Sequence, residues 1–132
     1  MLISIVILSW NGLDFLKECL PSVIRAVGVY EGECKVLLID NGSSDGSAEY
    51  VWVNFPGVKI LSLAENFSFT KAINKGISAA KGEVVIALNN DVIVEKDFIA
   101  PLVKHFSEDK NVFAVGAKML FWDRKTLNFG RA

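Results

Sequence analysis

The sequence predicts an α/β fold in which a mainly parallel sheet carries helices on both faces, and two observations predict it. Short apolar segments with a strand signature alternate along the chain with longer segments of helical period, the pattern of right-handed βαβ units. Two of the apolar segments also run into an aspartate and a loop. Val36-Leu37-Leu38-Ile39-Asp40 is followed by Asn41-Gly42-Ser43-Ser44-Asp45-Gly46, and Val84-Val85-Ile86-Ala87-Leu88-Asn89-Asn90 by Asp91. Two acids therefore leave one edge of one sheet, where open parallel sheets bind ligands and where a hard cation finds oxygen donors.

In chain order, strands are predicted at residues 2–8, 35–39, 58–63, 83–88 and 112–116, each bounded by turn residues. The first helix is predicted over 14–26, with Phe15, Cys19, Leu20, Val23 and Val27 on one face. Pro21 should kink it or divide it into two short helices. The second helix spans 45–53. A third spans 68–80, with Ser68 as its N-cap and Gly82 as its stop. The fourth runs from 96 to 107. No linker, repeat or low-complexity segment interrupts this order, so residues 1–132 are expected to form a single domain.

A chain of 132 residues is long enough to bury roughly two-thirds of its unfolded surface. Its hydrophobic fraction of 52% against 22% charged residues suits strands covered on both faces, and equally an exposed apolar patch that would favour a homodimer or a protein partner. Net charge is −1 with scattered Lys and Arg, which argues against nucleic acid as a partner. Cys19 and Cys34 lack metal-site spacing and read as free core thiols in a reducing compartment. His105 reads as a helix-surface residue. No apolar run approaches the roughly 20 residues of a membrane helix, and the N-terminal segment lacks the features of a signal peptide. A cytoplasmic protein is expected.

Several α/β chemistries fail on their motifs. Ser9-Trp10-Asn11-Gly12-Leu13-Asp14 follows the first strand where a dinucleotide site needs Gly-x-Gly-x-x-Gly. The glycines and lysine of Gly76-Ile77-Ser78-Ala79-Ala80-Lys81-Gly82 end a helix instead of starting one, so no P-loop is present. With no Gly-x-Ser-x-Gly elbow and one histidine, a Ser/His/Asp hydrolase has little support. A nucleotide site that grips phosphate through a metal remains.

Four blocks carry a family resemblance. They are Ser4-Ile5-Val6-Ile7-Leu8-Ser9-Trp10-Asn11; Leu38-Ile39-Asp40-Asn41-Gly42-Ser43-Ser44-Asp45-Gly46-Ser47; Asn66-Phe67-Ser68-Phe69-Thr70-Lys71-Ala72-Ile73-Asn74-Lys75-Gly76-Ile77; and Ala80-Lys81-Gly82-Glu83 through Asp91. In this order and at this spacing they resemble the inverting family 2 glycosyltransferases, and Leu88-Asn89-Asn90-Asp91 with Gly116-Ala117-Lys118-Met119-Leu120 is most similar to the rhamnosyltransferase-type members that build bacterial surface polysaccharide.

The resemblance implies a GT-A fold, whose Rossmann-like half binds a nucleotide-diphospho-sugar donor and is followed by a half that binds a saccharide or lipid-linked saccharide acceptor. It implies that Ser9, Trp10 and Asn11 line the base pocket and that Asp40 hydrogen-bonds the base or ribose. By the same resemblance Asn66 and Lys71 point toward ribose and phosphates, although Lys71 also reads as a solvated helix residue and Asn74 as a tie to a neighbouring loop. Asp45 reads more simply as a cap or turn former.

Asn89-Asn90-Asp91 stands at the family's Asp-x-Asp position, where Asp91 would hold Mn²⁺ or Mg²⁺ and the ion would offset charge on the departing diphosphate. Asn89 departs from that pattern, adding oxygen and donor capacity without charge, so metal affinity without nucleotide should be weak. An inverting transfer also needs a general base within reach of the acceptor hydroxyl. The resemblance places it in the acceptor half, beyond Ala132, and Asp123 is a poor substitute in what reads as a turn. Alternative readings are a nucleotide-sugar-binding module, without catalysis of its own or completed by a partner, and a nucleotidyltransferase. The first loop lacks the glycine- and basic-rich grip on a triphosphate that the latter needs. The expected location is the cytoplasm, including the inner face of the membrane.

Overall fold

The computed structural model describes residues 1–121 and 123, in two compact units, Met1–Ile99 and Ala100–Ala132. The first unit contains strand β1 (Ile3–Ser9), helix α1 (Leu13–Val29), β2 (Cys34–Asp40), α2 (Ser47–Asn54), β3 (Val58–Ser62), α3 (Phe69–Ala79) and β4 (Val84–Asn89). Helix α4 (Ile99–Glu108) leads into the second unit.

The four strands form one parallel sheet in the order β3-β2-β1-β4. From β1 the chain steps outward twice in one direction, then returns to the other side of β1. Right-handed crossovers therefore place α1 and α2 on one face and α3 on the other. All seven residues of β1 are buried, because the strand is central and both its faces are covered. Val6 and Leu8 pack with Leu37, Ile39 and the α3 residue Ala72. The alternate residues Ile3, Ile5 and Ile7 are fully buried as well, on the side that the strand's period of two turns toward α1 and α2.

Gly76 lets α3 lie close on the sheet, since a Cβ there would overlap the Ile39 side chain and approach Val6. Gly82 does not cap α3, which ends at Ala79 with Ala80 extended. It instead passes against Ser4, whose Oγ accepts its N–H at 2.9 Å. Ser68 occupies the N-cap position, yet its side chain makes no capping hydrogen bond.

Helix α1 is continuous through Pro21, so the division into two short helices does not occur. Pro21 and Lys17, whose carbonyl loses its helical partner to the proline ring, are both exposed, so water can satisfy that group. The buried stripe of α1 is Leu16, Cys19, Leu20, Ser22, Val23 and Ala26. Phe15 is 57% exposed, contrary to the predicted face. The predicted fifth strand at 112–116 is also corrected: the segment has no regular structure, and apolar residues without a laddered neighbour do not make a strand. Phe113 within it is almost entirely exposed. His105 lies on the surface of α4, 3.9 Å from Glu108. Among the described residues no helix is long and apolar enough to cross a membrane.

Candidate functional site

The sheet order reverses between β1 and β4, so the crevice at their carboxyl ends is the topological switch point at which open α/β sheets bind ligands. Register brings Ser9 beside Asp40 and Leu8 beside Asn89. Buried Ser9 joins the three strand ends: its carbonyl accepts the Asn41 N–H at 2.9 Å, and its Oγ accepts from Asn90 Nδ2 at 2.9 Å. Gly12 fits beneath this bond, where a Cβ would strike the Asn90 amide nitrogen.

The loop after β1 is braced against the loop after β2. Asn11 has φ 45°, a conformation that Asn tolerates better than most residues. Its N–H donates to Ser43 Oγ at 2.9 Å, and its Oδ1 accepts the Ser44 N–H at 2.8 Å. Asp45 caps two helices. Its Oδ2 accepts the Leu13 N–H at 2.9 Å at the start of α1, while its Oδ1 accepts from the N–H and Oγ of Ser47, at 3.0 and 2.6 Å, at the start of α2. Desolvation raises the pKa of Asp45, but these hydrogen bonds to the charged form outweigh it and hold the carboxyl below its ordinary value. Trp10 remains 53% exposed beside this polar framework, an aromatic surface at the edge of the crevice.

Asp40 is buried, and its Oδ1 accepts the Ser43 N–H at 3.1 Å, which shapes the turn after β2. Asn41 reaches across to the segment before α3. Its side chain bonds both backbone groups of Phe67 and the Oδ1 of Asn66, so Asn66 is drawn to the end of β2.

Asn89 ends β4, and Asn90 and Asp91 form the turn that leaves it. Helix α1 holds this turn from below: Cys19 Sγ lies 3.9 Å from the Asn89 carbonyl, and Ser22 Oγ accepts the Val94 N–H at 3.1 Å while donating to the Cys19 carbonyl at 2.7 Å. Asp91 is exposed, and no ion pair or hydrogen bond between described residues engages its carboxylate. Nor do the described residues contain a group of three or more His, Cys, Asp or Glu side chains able to hold a metal ion. One free carboxylate preceded by two carboxamides fits a hard cation whose remaining ligands are substrate phosphates and water. A closed protein cage is not built here.

Lys71 stands next to the Asn66–Phe67 segment that Asn41 ties to the end of β2. Its ammonium lies 4.1 Å from the centre of the Phe67 ring, in a groove with Leu61, Leu63 and Lys75 on the β3 side. Strands β3 and β4 are the two edges of the sheet, three strand spacings or about 14 Å apart. Cys19 is buried and Cys34 half-buried, both as free thiols. Asp123 lies in a turn of the second unit. Sequence reasoning missed Asn41, Gly12 and Ser22 as parts of the framework. Asn41 directly follows an acid at a strand end and was the one with a visible signal.

Comparison with known proteins agrees with this architecture. The family model "Glycosyl transferase family 2" matches residues 4–128. The chain is 29% identical to glycosyltransferase GlyG of Streptococcus pneumoniae over 118 residues, 87% of this chain and 38% of that protein. It is 33% identical to an undecaprenyl-phosphate 4-deoxy-4-formamido-L-arabinose transferase of Edwardsiella ictaluri over 106 residues, 77% of this chain and 33% of that protein. The chain thus matches about a third of the length of these relatives. Among solved structures, S. aureus TarS in complex with UDP superposes with a TM-score of 0.71 at 22% identity, over 82% of this chain and 32% of that one. The mannosyltransferase PcManGT of Pyrobaculum calidifontis, in complex with GDP-Man and Mn²⁺, gives 0.72 at 20% identity, over 80% and 32%. The chain belongs to glycosyltransferase family 2, and its parallel sheet has the Rossmann-like GT-A architecture.

Proposed function

We propose that this chain, as a single nucleotide-sugar-binding domain over residues 1–132, forms the donor site of a glycosyltransferase that moves a sugar from a nucleotide-diphospho-sugar to an acceptor hydroxyl with inversion, in the building of bacterial surface polysaccharide. The observation that carries this reading is the meeting of Ser9, Asp40, Asn90 and Asp91 at three adjacent parallel strand ends, on the switch point of the sheet. In this reading Trp10 and Asn11 face the base, Asp40 the base or ribose, Asn66 the ribose or phosphates, and Asn89 and Asn90 the diphosphate. Lys71 contributes positive potential from the side of the groove.

Asp91 supplies the anionic oxygen for Mn²⁺ or Mg²⁺. When bound, the ion offsets the charge that grows on the departing diphosphate. Asn90, tied to Ser9, keeps the carrying turn in place, and Asn89 offers a carboxamide to the phosphates without adding charge. The acceptor oxygen bonds to the anomeric carbon as that carbon's bond to the nucleoside diphosphate breaks, and the hydroxyl proton passes to a carboxylate base in the acceptor-binding part. The acceptor is a saccharide or a lipid-linked saccharide, consistent with a cytoplasmic site that includes the inner membrane face. Exposed Trp52 and Val53 on α2 offer apolar surface for a second copy or partner.

Calorimetric titration with UDP, dTDP and GDP, each with and without Mn²⁺, tests the reading. Saturable, metal-dependent binding is expected for one base, and Asp91→Ala should abolish the metal dependence. A folded Asp91→Ala protein that binds as the wild type does would remove Asp91 from the metal role.

A further inference from the structure

Asn41 follows β2 and is 4% exposed. Its Oδ1 accepts the Phe67 N–H at 3.0 Å, and its Nδ2 donates to the Phe67 carbonyl at 2.8 Å. A backbone N–H only donates and a backbone carbonyl only accepts. The Phe67 pair therefore fixes which end of the Asn41 carboxamide is oxygen and which is nitrogen. The second hydrogen of Nδ2 goes to Asn66, whose Oδ1 accepts it at 2.9 Å.

Asn66 is exposed. With its oxygen turned to Asn41, its NH₂ is the end that faces outward. Gly42 holds the two segments together: its φ is 76°, and a Cβ there would lie 2.7 Å from the Glu65 carbonyl carbon and 2.9 Å from the Asn66 nitrogen. The backbone bearing Asn66 rests directly on that glycine.

We infer that Asn66 is a hydrogen-bond donor to the nucleotide and that Asn41 is the positioning residue that gives it this polarity. The inference rests on the donor-site reading above. Asn66 then accepts as its partner an oxygen acceptor, whether on phosphate, ribose or base, and refuses a group that can only donate. Asn41→Asp makes the distinction visible. The aspartate still accepts the Phe67 N–H but no longer donates, so Asn66 turns round to donate inward and shows its oxygen to the ligand.

The test uses the tightest-binding of UDP, dTDP and GDP, together with its nucleoside, in the presence of Mn²⁺. Titration should move the side-chain NH₂ resonance of Asn66 in the wild type. Asn66→Ala and Asn41→Asp should each weaken nucleotide binding about tenfold, the scale of one hydrogen bond lost to a ligand. In the Asn66→Ala background, Asn41→Asp should have no further effect. A loss seen with the nucleoside as well assigns the acceptor to ribose or base, and a loss seen with the nucleotide alone assigns it to phosphate. Additive losses, unweakened binding by Asn66→Ala, or an unmoved Asn66 resonance at saturation would each overturn the inference while wild-type binding keeps the donor-site reading intact. The resonance needs no substitution, so it decides the matter even where Asn41→Asp fails to fold. A wild-type chain that binds no nucleotide overturns both.

Discussion

Asn90 donates from its side-chain amide to Ser9 Oγ across 2.9 Å, so the turn leaving β4 is bonded to the end of β1. Gly12 lies against both partners: a Cβ on residue 12 would strike the Asn90 nitrogen and lie 2.7 Å from Ser9 Oγ. Gly12→Ala should part the two side chains and displace the turn that presents Asp91. The expected cost is about 1–3 kcal/mol of stability, as for other overpacked sites, together with weaker metal-dependent nucleotide binding. Chemical denaturation and calorimetry read the two effects. Unaltered binding by the alanine variant would show that the Asn90–Ser9 bond does not hold the site.

Asp45 ties together the starts of α1 and α2 through both carboxylate oxygens. Asp45→Ala should cost about 0.5–2 kcal/mol at pH 7, the range for a lost helix cap. Because the folded pKa lies below the ordinary 3.8, the charged form is favoured in the native state. The stabilisation is present above the unfolded value and is lost as pH falls through the folded one. The gap between wild-type and Asp45→Ala unfolding midpoints should therefore be constant from pH 7 to about 5 and narrow below about 4. A gap that does not narrow at all between pH 4 and pH 2 would mean that the carboxylate charge is not what stabilises the caps.

The features legible in the sequence are those fixed by local pattern. Continuous apolar runs mark β1 and β2 because these inner parallel strands are buried on both faces, a similar run marks β4 at the sheet edge, and an acid at the end of such a run marks Asp40 and Asp91. Helix α3 is predicted almost to its ends because Ser68 and the apolar spacing after it are local. What was missed depends on packing. Leu16 stands with Cys19, Leu20 and Val23 at i, i+3, i+4 and i+7 and faces the core, whereas Phe15, one position off that stripe, is exposed. Ser22 carries no signal in the sequence, because its partner Val94 is 72 residues away and meets it only in the folded chain. The segment 112–116 has strand composition but lacks a neighbour to pair with, and composition cannot supply one. Lys71 reads both as a phosphate contact and as a solvated helix residue, and the aromatic face of Phe67 beneath its ammonium is a packing contact that the spacing of the sequence does not show.

The two thiols give a pH signature on the alkaline side. Burial pushes Cys34 up from 9.0 to about 11. Burial, and after it the charge of Asp91, takes Cys19 to about 11 as well, against a partial offset from the Val92 backbone. A raised folded pKa means that the native state favours the neutral thiol. The resulting stability is complete below the unfolded value near 9 and is lost as pH rises through about 11. Cys34 lies at the start of β2, paired with Ile3 and remote in sequence from the crevice, so it isolates the effect from ligand binding. The wild-type denaturant midpoint should fall between pH 9 and 11 more steeply than that of Cys34→Ala. Lysine and tyrosine titrate in the same range, but they are common to both proteins and cancel in the difference. The same protonation predicts slow alkylation by iodoacetamide at pH 8 in the native chain and rapid alkylation once it is unfolded, since the thiolate is the nucleophile. Parallel pH profiles for wild type and Cys34→Ala, with fast alkylation of the folded protein, would show that the Cys34 thiol is hydrated like an exposed one.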